Sequence, residues 1–179
     1  AAGWRVAGHD QRGHGRSEGD RGALAAPDSL LADLSLVVER VRASHPGPLV
    51  LLGHSMGGAV AARFVAEALR PAPAAWSRPV DALVLSSPAL DAGMGAAQKL
   101  LLALANPLMP NVALGNGLKP DWVSRDPTVV KAYIDDPLNH DRITPRLARF
   151  IVDGGTLALQ RAPAWTSPTL LLWAGADRC

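Results

Sequence analysis

Gly53-His54-Ser55-Met56-Gly57-Gly58 follows the apolar run Pro48-Leu49-Val50-Leu51-Leu52 and opens a stretch of helix-forming residues from Ala59 to Ala66. A Gly-x-Ser-x-Gly pattern between strand and helix implies a turn so sharp that the backbone approaches itself on both sides of the serine. Gly53 and Gly57 are expected to remove the Cβ atoms that would collide there. Such a turn presents the Ser55 hydroxyl above a sheet, at the N-terminus of the following helix. The helix dipole and the free Met56 N–H both favour negative charge developing at that point. The chemistry this suits is nucleophilic attack by Ser55 on a carbonyl carbon. The pattern alone is weak, because turns collect glycine and serine; the strand before it and the helix after it give it weight.

A serine hydroxyl is a poor nucleophile near neutral pH and needs a base within hydrogen-bond reach. The chain has five histidines, at positions 9, 14, 45, 54 and 140. His54 adjoins Ser55, but its side chain is expected to diverge from the hydroxyl and to serve packing or support. His9 and His14 flank a glycine-rich loop, His45 ends a helix, and His140 falls where it could at best line a site. None of the five is singled out as the base.

The elements that must position these residues follow from short apolar runs separated by helical periodicity. Trp4–Ala7, Leu49–Leu52 and Val80–Leu85 read as strands, the second and third buried on both faces. Leu30, Leu34, Val37, Val38 and Val41 fall on one helical face, with Pro27 suited to the first turn and Ser44–Pro48 as the stop. The helix after Ser55 is expected to run to about Arg70. This strand–helix alternation predicts an α/β fold, a parallel sheet with helices on both faces. Beyond Pro88 the pattern turns helical, with Ala96–Leu104, Val129–Ile134 and Pro145–Gln160 as helices, the last capped by Thr144. No strand pattern interrupts this stretch. Sheet character resumes at Pro168–Trp173. The expected organisation is a core over 1–88, a helical insertion over 89–165 and a return to the core over 166–179.

Composition narrows the class. In 179 residues, 48% are hydrophobic and 19% charged, which fits a globular domain rather than a disordered chain. The net charge of +2, with no basic block, gives nucleic-acid binding little support. The one cysteine, Cys179, precludes an internal disulfide, and a cytoplasmic location is the expectation. No apolar run approaches the ~20 residues a membrane-spanning helix needs. No Cys/His cluster has zinc spacing, so neither metal nor organic cofactor is expected.

With these segments in hand, the chain resembles the α/β-hydrolase superfamily, in particular its monoacylglycerol lipase and lysophospholipase group of serine aminopeptidase-type hydrolases. Asp10-Gln11-Arg12-Gly13-His14-Gly15-Arg16-Ser17-Glu18-Gly19 is similar to that group's loop after the fourth strand, and Gly53–Gly58 to its nucleophile elbow. Leu83–Pro88 is similar to its sixth strand, and Ser124-Arg125-Asp126, Tyr133 and Asp136-Pro137-Leu138 to its cap. Leu170–Asp177 is similar to the strand and turn that deliver the acid.

The resemblance implies a serine esterase in which Asp177 orients a histidine, Ser55 attacks and Met56 N–H is half of the oxyanion hole. Asp91, after the Val80–Leu85 strand, is the competing acid; Gly175-Ala176 offers Asp177 the tight turn such a residue needs. In this superfamily the order is serine, acid, histidine. The base and the group's first strands are therefore expected outside residues 1–179, making the chain an incomplete α/β-hydrolase that is inactive by itself. A helical cap rich in leucine (Leu100, Leu101, Leu104 and Leu108, widened by Leu102 and Met109) suits a small lipid ester. It also suits transient contact with a membrane or lipid surface; packing against the core is the alternative. A same-fold peptidase, acyltransferase or small-ester hydrolase, and a non-catalytic binding protein of this fold, remain open. The Ala/Pro/Arg-rich composition is associated with GC-rich bacterial genomes.

Overall fold

The computed structural model describes residues 3–91 and 93–179. Along the chain the elements are α1 (Ser29–Ser44), β1 (Val50–His54), α2 (Met56–Ala68), β2 (Ala82–Ser86), α3 (Ala96–Leu108) and β3 (Leu114–Gly115). They continue with α4 (Pro127–Asp135), β4 (Arg142–Ile143), α5 (Pro145–Arg161) and β5 (Thr169–Leu172). The sheet is parallel, in the order β1-β2-β5, with helices packed against it.

The register decides what the sheet can position. His54 of β1 lies level with Ser86 of β2, and Ser86 level with Leu172 of β5. All three strands therefore end at one edge, and the chain leaves that edge at Ser55, Ser87 and Trp173.

Side chains alternate across a strand. Leu51, Leu83 and Leu85 point to one face and pack into two buried clusters. One joins Leu24, Leu31, Leu34 and Val38 to Val60, Phe64, Leu147 and Phe150. The other joins Ala61, Ala62 and Val65 of α2 to Ala158 of α5. Phe64, fully buried, stacks on Trp76 with ring centroids 5.7 Å apart. Burying one such side chain is worth about 1.5–3 kcal/mol, so these clusters hold the frame.

Several expectations need correction. The opposite sheet face is open among the described residues: Leu52 is 67% exposed, and every residue of β5 is exposed. The strands are thus not buried on both faces, because α1, α2 and α5 share one side. Trp4–Ala7 is not a strand, and Trp4 and Val6 are exposed. A strand needs a neighbour for its N–H and C=O groups, and no described residue pairs with this segment. The insertion is not strand-free either, since β3 and β4 form a two-residue antiparallel ladder. Helix α3 runs one turn past Leu104 with Pro107 inside it.

Capping follows the expected rules elsewhere. Thr144 Oγ1 accepts the Leu147 N–H at 3.3 Å to start α5. Asp126 accepts from Thr128 N at 2.8 Å to start α4. Within 89–165 the helices behave differently. Helix α5 is part of the packed core, because Gly154 and Gly155 let it approach α2 and the chain after β2. A Cβ on Gly155 would overlap the Leu90 carbonyl, and one on Gly154 would meet Arg63 Cδ at 3.2 Å.

Gly155→Ala is therefore expected to destabilise the protein by about 2–3 kcal/mol through overpacking against backbone. Gly8→Ala, where nothing lies within 4 Å, is expected to change stability little. Chemical denaturation of the two variants checks the difference.

Candidate active site

Ser55 occupies the turn between β1 and α2 with φ 50° and ψ −121°. Positive φ is costly for a residue with a Cβ, of the order of 1–3 kcal/mol, and persists only where the surroundings enforce it. Two observations supply the enforcement. A Cβ on Gly53 would overlap the Gly57 carbonyl oxygen and lie 2.8 Å from Gly58 Cα. A Cβ on Gly58 would lie 2.7 Å from Pro88 Cβ. Gly57 itself is under no such pressure, since its Cβ would meet only Gln11 Nε2 at 3.5 Å. The expected pair of obligatory glycines, 53 and 57, is thus 53 and 58.

Ser55 is locked through its backbone, leaving its hydroxyl out of the scaffold. Its N–H donates to Ser86 O at 3.0 Å, and its carbonyl accepts from Ala59 N at 3.1 Å and Ala89 N at 3.0 Å. The side chain makes no capping hydrogen bond to α2. The first intrahelical bond of α2 is Ala59 N to Ser55 O, so the N–H groups of Met56, Gly57 and Gly58 precede it and carry the positive end of the helix dipole.

Asp177 follows β5 through the Ala174–Asp177 turn, closed by Asp177 N to Ala174 O at 3.1 Å. Gly175 is not needed for its backbone freedom: its φ lies outside the left-handed region, and nothing lies within 4 Å of where a Cβ would be. Asp177 Oδ1 accepts from Cys179 N at 2.9 Å. That bond, then the Ser87 hydroxyl, and then the charge of His54 hold the Asp177 carboxyl below the usual carboxylate range. It is ionised at neutral pH. Asp91, the competing acid, accepts instead from Gly93 N at 2.9 Å within its own turn.

The histidines have distinct places. His54 Nδ1 lies 3.1 Å from Ser86 Oγ on the neighbouring strand. His14 Nδ1 donates to Arg12 O at 3.0 Å. His45 ends α1, its N–H bonding Val41 O at 2.9 Å. His140 Nε2 donates to Gly13 O at 3.0 Å, while its Nδ1 accepts from Arg142 N at 3.1 Å. The rings of His14 and His140 lie 4.7 Å apart.

The glycine-rich loop before α1 is folded on itself. Asp10 Oδ2 accepts from Arg16 N at 2.8 Å, Arg12 pairs with Asp33 at 2.8 Å, and Arg21 donates to Gly15 O at 2.8 Å. Thr144 N and Oγ1 both donate to Gly22 O, at 3.0 and 3.1 Å, fastening the loop to the start of α5.

The chain after Asp91 supplies two further features. Leu100, Leu101, Leu104 and Leu108 of α3 are all more than half exposed, and Leu102 turns away from them into the interior. A cavity of about 230 Å³ is lined by Leu118, Pro120, Val123, Tyr133 and Ile134 with Asn139 and His140, and reaches Cys179. Ser55 is not among its lining residues. Among the described residues no group of three or more His, Cys, Asp or Glu side chains is arranged to hold a metal ion.

A family model described as serine aminopeptidase, S33, matches residues 1–179. The chain belongs to that family of α/β-hydrolases. It is 38% identical over 183 residues to the monoacylglycerol lipase of Mycolicibacterium smegmatis, covering 99% of this chain and 62% of that protein. It is 35% identical over 173 residues to human monoglyceride lipase, covering 95% of this chain and 55% of that one. Among solved structures, the monoacylglycerol lipase of Paleococcus ferrophilus superposes with a TM-score of 0.71 at 31% identity, over 90% of this chain and 58% of that chain. The chain thus spans between about half and two thirds of the length of these relatives.

Sequence reasoning missed Ser87. Apart from Ser55 it is the one non-glycine residue with positive φ (40°) among the described residues, and it precedes Pro88. A residue before proline is normally extended, so nothing in Ser86-Ser87-Pro88 announces this turn. The available signal was its register position, one residue past the end of the central strand.

The His140 geometry gives a signed pH effect. Desolvation, followed by the neighbouring His14, holds His140 below its ordinary value in the folded protein. The unfolded chain then takes up the proton first, and the stability of the neutral form is lost as pH falls below about 6.5. His140→Gln is expected to flatten the fall in melting temperature between pH 7.5 and 5.5; melting curves at the two pH values check it.

Proposed function

We propose that the full-length polypeptide is a serine hydrolase of carboxylic esters of lipids, with monoacylglycerol or lysophospholipid as substrate, acting through Ser55. The observation that carries this is the Ser55 turn: a strained residue, backbone fully bonded, hydroxyl left free, at the N-terminus of α2. The family match and the relatives named monoacylglycerol lipase support the ester as substrate class.

In this reading Ser55 Oγ gives its proton to a histidine and attacks the ester carbonyl. The tetrahedral oxyanion is taken by Met56 N–H, one half of an oxyanion hole. Losing one such donor typically costs about 3 kcal/mol of transition-state stabilisation. Asp177, ionised at neutral pH, holds the histidine in the productive tautomer and stabilises its cation. The histidine then protonates the departing alcohol, and water attacks the acyl-enzyme and releases the fatty acid. In the superfamily order of serine, acid and histidine, the base follows the acid along the polypeptide. No step calls for a metal or an organic cofactor.

The exposed leucines of α3 and most of the lining of the cavity beside α4 fall between Asp91 and α5, the part of 89–165 that we assign as a cap governing substrate choice. An apolar face whose helix carries one charged residue, Lys99, suits an aliphatic chain or a lipid surface better than a charged peptide.

In the full-length protein, Ser55→Ala is expected to abolish labelling by a fluorophosphonate and ester turnover. Asp177→Asn is expected to lower kcat by a factor on the order of 10⁴. A panel of monoacylglycerols, short nitrophenyl esters and amino-terminal prolyl peptides reads specificity. Preference for the peptides rejects the lipid-ester assignment, and undiminished turnover by Ser55→Ala rejects the mechanism.

A further inference from the structure

We propose that Trp122 is a positioning residue for this reaction, holding the two residues that follow Asp177 and so setting where its carboxylate points; the proposal rests on the triad reading above. The acid turn has little support from its own side of the sheet. It leaves β5, an edge strand whose residues are all exposed, and nothing lies within 4 Å of where a Gly175 Cβ would be. The backbone bond that closes it runs from Asp177 N to Ala174 O. An exposed turn beyond a strand edge opens readily unless something outside it holds it shut.

That hold comes from the short 3-10 turn Pro120–Trp122. Arg178 brings its guanidinium carbon to 5.9 Å from the centre of the Trp122 ring, within the range at which a cation is attracted to the ring's negative face. Cys179 places its thiol 3.7 Å from the Trp122 carbonyl oxygen, to which it donates. Two consecutive residues after the acid therefore meet one residue of the cap, one at its ring and the other at its backbone. From there the link to the acid is a single hydrogen bond. Cys179 N donates to Asp177 Oδ1 at 2.9 Å, so the orientation of the carboxylate follows the position of the Cys179 backbone.

Trp122 is fit to be the anchor. Pro120 fixes the first φ of its turn, which is closed by Trp122 N to Lys119 O at 2.9 Å and by Val123 N to Pro120 O at 3.0 Å. With the amide engaged there, the carbonyl is left to accept from Cys179. Trp122 is also partly buried, whereas Trp4 and Trp173 are exposed. A second cation, Lys119 Nζ, lies 5.8 Å from the centre of the same ring. Arginine suits the aromatic face better, because a planar, weakly hydrated guanidinium stacks where an ammonium keeps its water. The cap thus contributes to the geometry of the acid as well as to substrate choice.

The test is made on the full-length protein with a short nitrophenyl ester, active sites being counted by fluorophosphonate titration so that misfolded molecules drop out. Trp122→Ala keeps the carbonyl that Cys179 meets, so the series isolates the ring. Per titrated site, Trp122→Ala and Arg178→Gln are each expected to lose roughly 2–5-fold in kcat, the worth of an exposed cation–π contact, with KM little changed. Trp122→Phe, which retains an aromatic face, should recover most of the loss. The double variant Trp122→Ala/Arg178→Gln should lose no more than either single variant, because both remove the same contact. Losses that multiply in the double variant, a change confined to KM, or wild-type kcat in Arg178→Gln overturns the proposal. In the same series Asp177→Asn reports on the triad. If it lowers kcat steeply while the other two losses multiply, only the role of Trp122 falls; if it leaves kcat intact, both readings fall.

Discussion

The molecule depends on two close approaches that only glycine permits. One is Gly53 against Gly57 and Gly58; the other is Gly58 against Pro88. Together they draw the N-terminus of α2 down onto the ends of β1 and β2, and Ser55, caught at the apex, is left with φ 50°. Such strain costs of the order of 1–3 kcal/mol and cannot persist on its own. It is offset by what the same close approach permits. From Gly58 through Ala62 α2 is continuously buried, and Phe64, Val65 and Ala66 continue that burial. The helix is thus bound to the sheet along its length, and the apex has no freedom to relax.

A parallel sheet converts that local geometry into a composite site. Because β1, β2 and β5 end level, residues far apart in sequence emerge together, and β2, in the middle, is bonded to both neighbours' turns. The frame is completed from the other direction by α5. Its Thr144 fastens the loop after Asp10 through Gly22, and its Gly155 admits the Leu90 carbonyl. A Cβ on Gly22 would overlap the Arg142 carbonyl, so the loop and β4 also meet backbone to backbone. The loop, the elbow and the chain leaving β2 are therefore held by the same device, a glycine at each close approach.

What the sequence revealed and what it hid follow from the range of the interactions. The elbow was legible because its causes lie within six residues, although the second obligatory glycine is 58 rather than 57. The contact with Pro88, thirty residues on, decides that. The start of α5 was legible because Thr144 caps its own turn, whereas α4, expected from Val129, starts at Pro127 behind the Asp126 cap. Trp4–Ala7 reads as a strand by composition, yet strand formation requires a partner that composition does not supply. The periodicity of Pro145–Gln160 announced a helix but not the surface it covers, so its place in the core appeared only with Leu147 and Phe150 among the buried residues. Asp177 was reached through resemblance and the end of an apolar run. Ser87 was hidden, because its conformation contradicts what a residue before proline ordinarily does.

The same distinction of range separates the two halves of the stretch after Asp91. Helix α5 meets the core through backbone approaches that tolerate almost no displacement. Helix α3 joins it through one buried side chain, Leu102, while its other leucines face outward. At about 25 cal/mol per Å² of apolar surface, leaving those leucines in water is a standing cost with nothing in α3 to compensate it. A surface that is loosely attached and apolar gains from any nonpolar material placed against it. On the proposed reading, that material is the acyl chain or the lipid surface that delivers it. The rigid half of the stretch would then keep the reacting groups in register while the outer half responds to substrate. Precision would rest with α5, and the response to substrate with α3, which packs against α5.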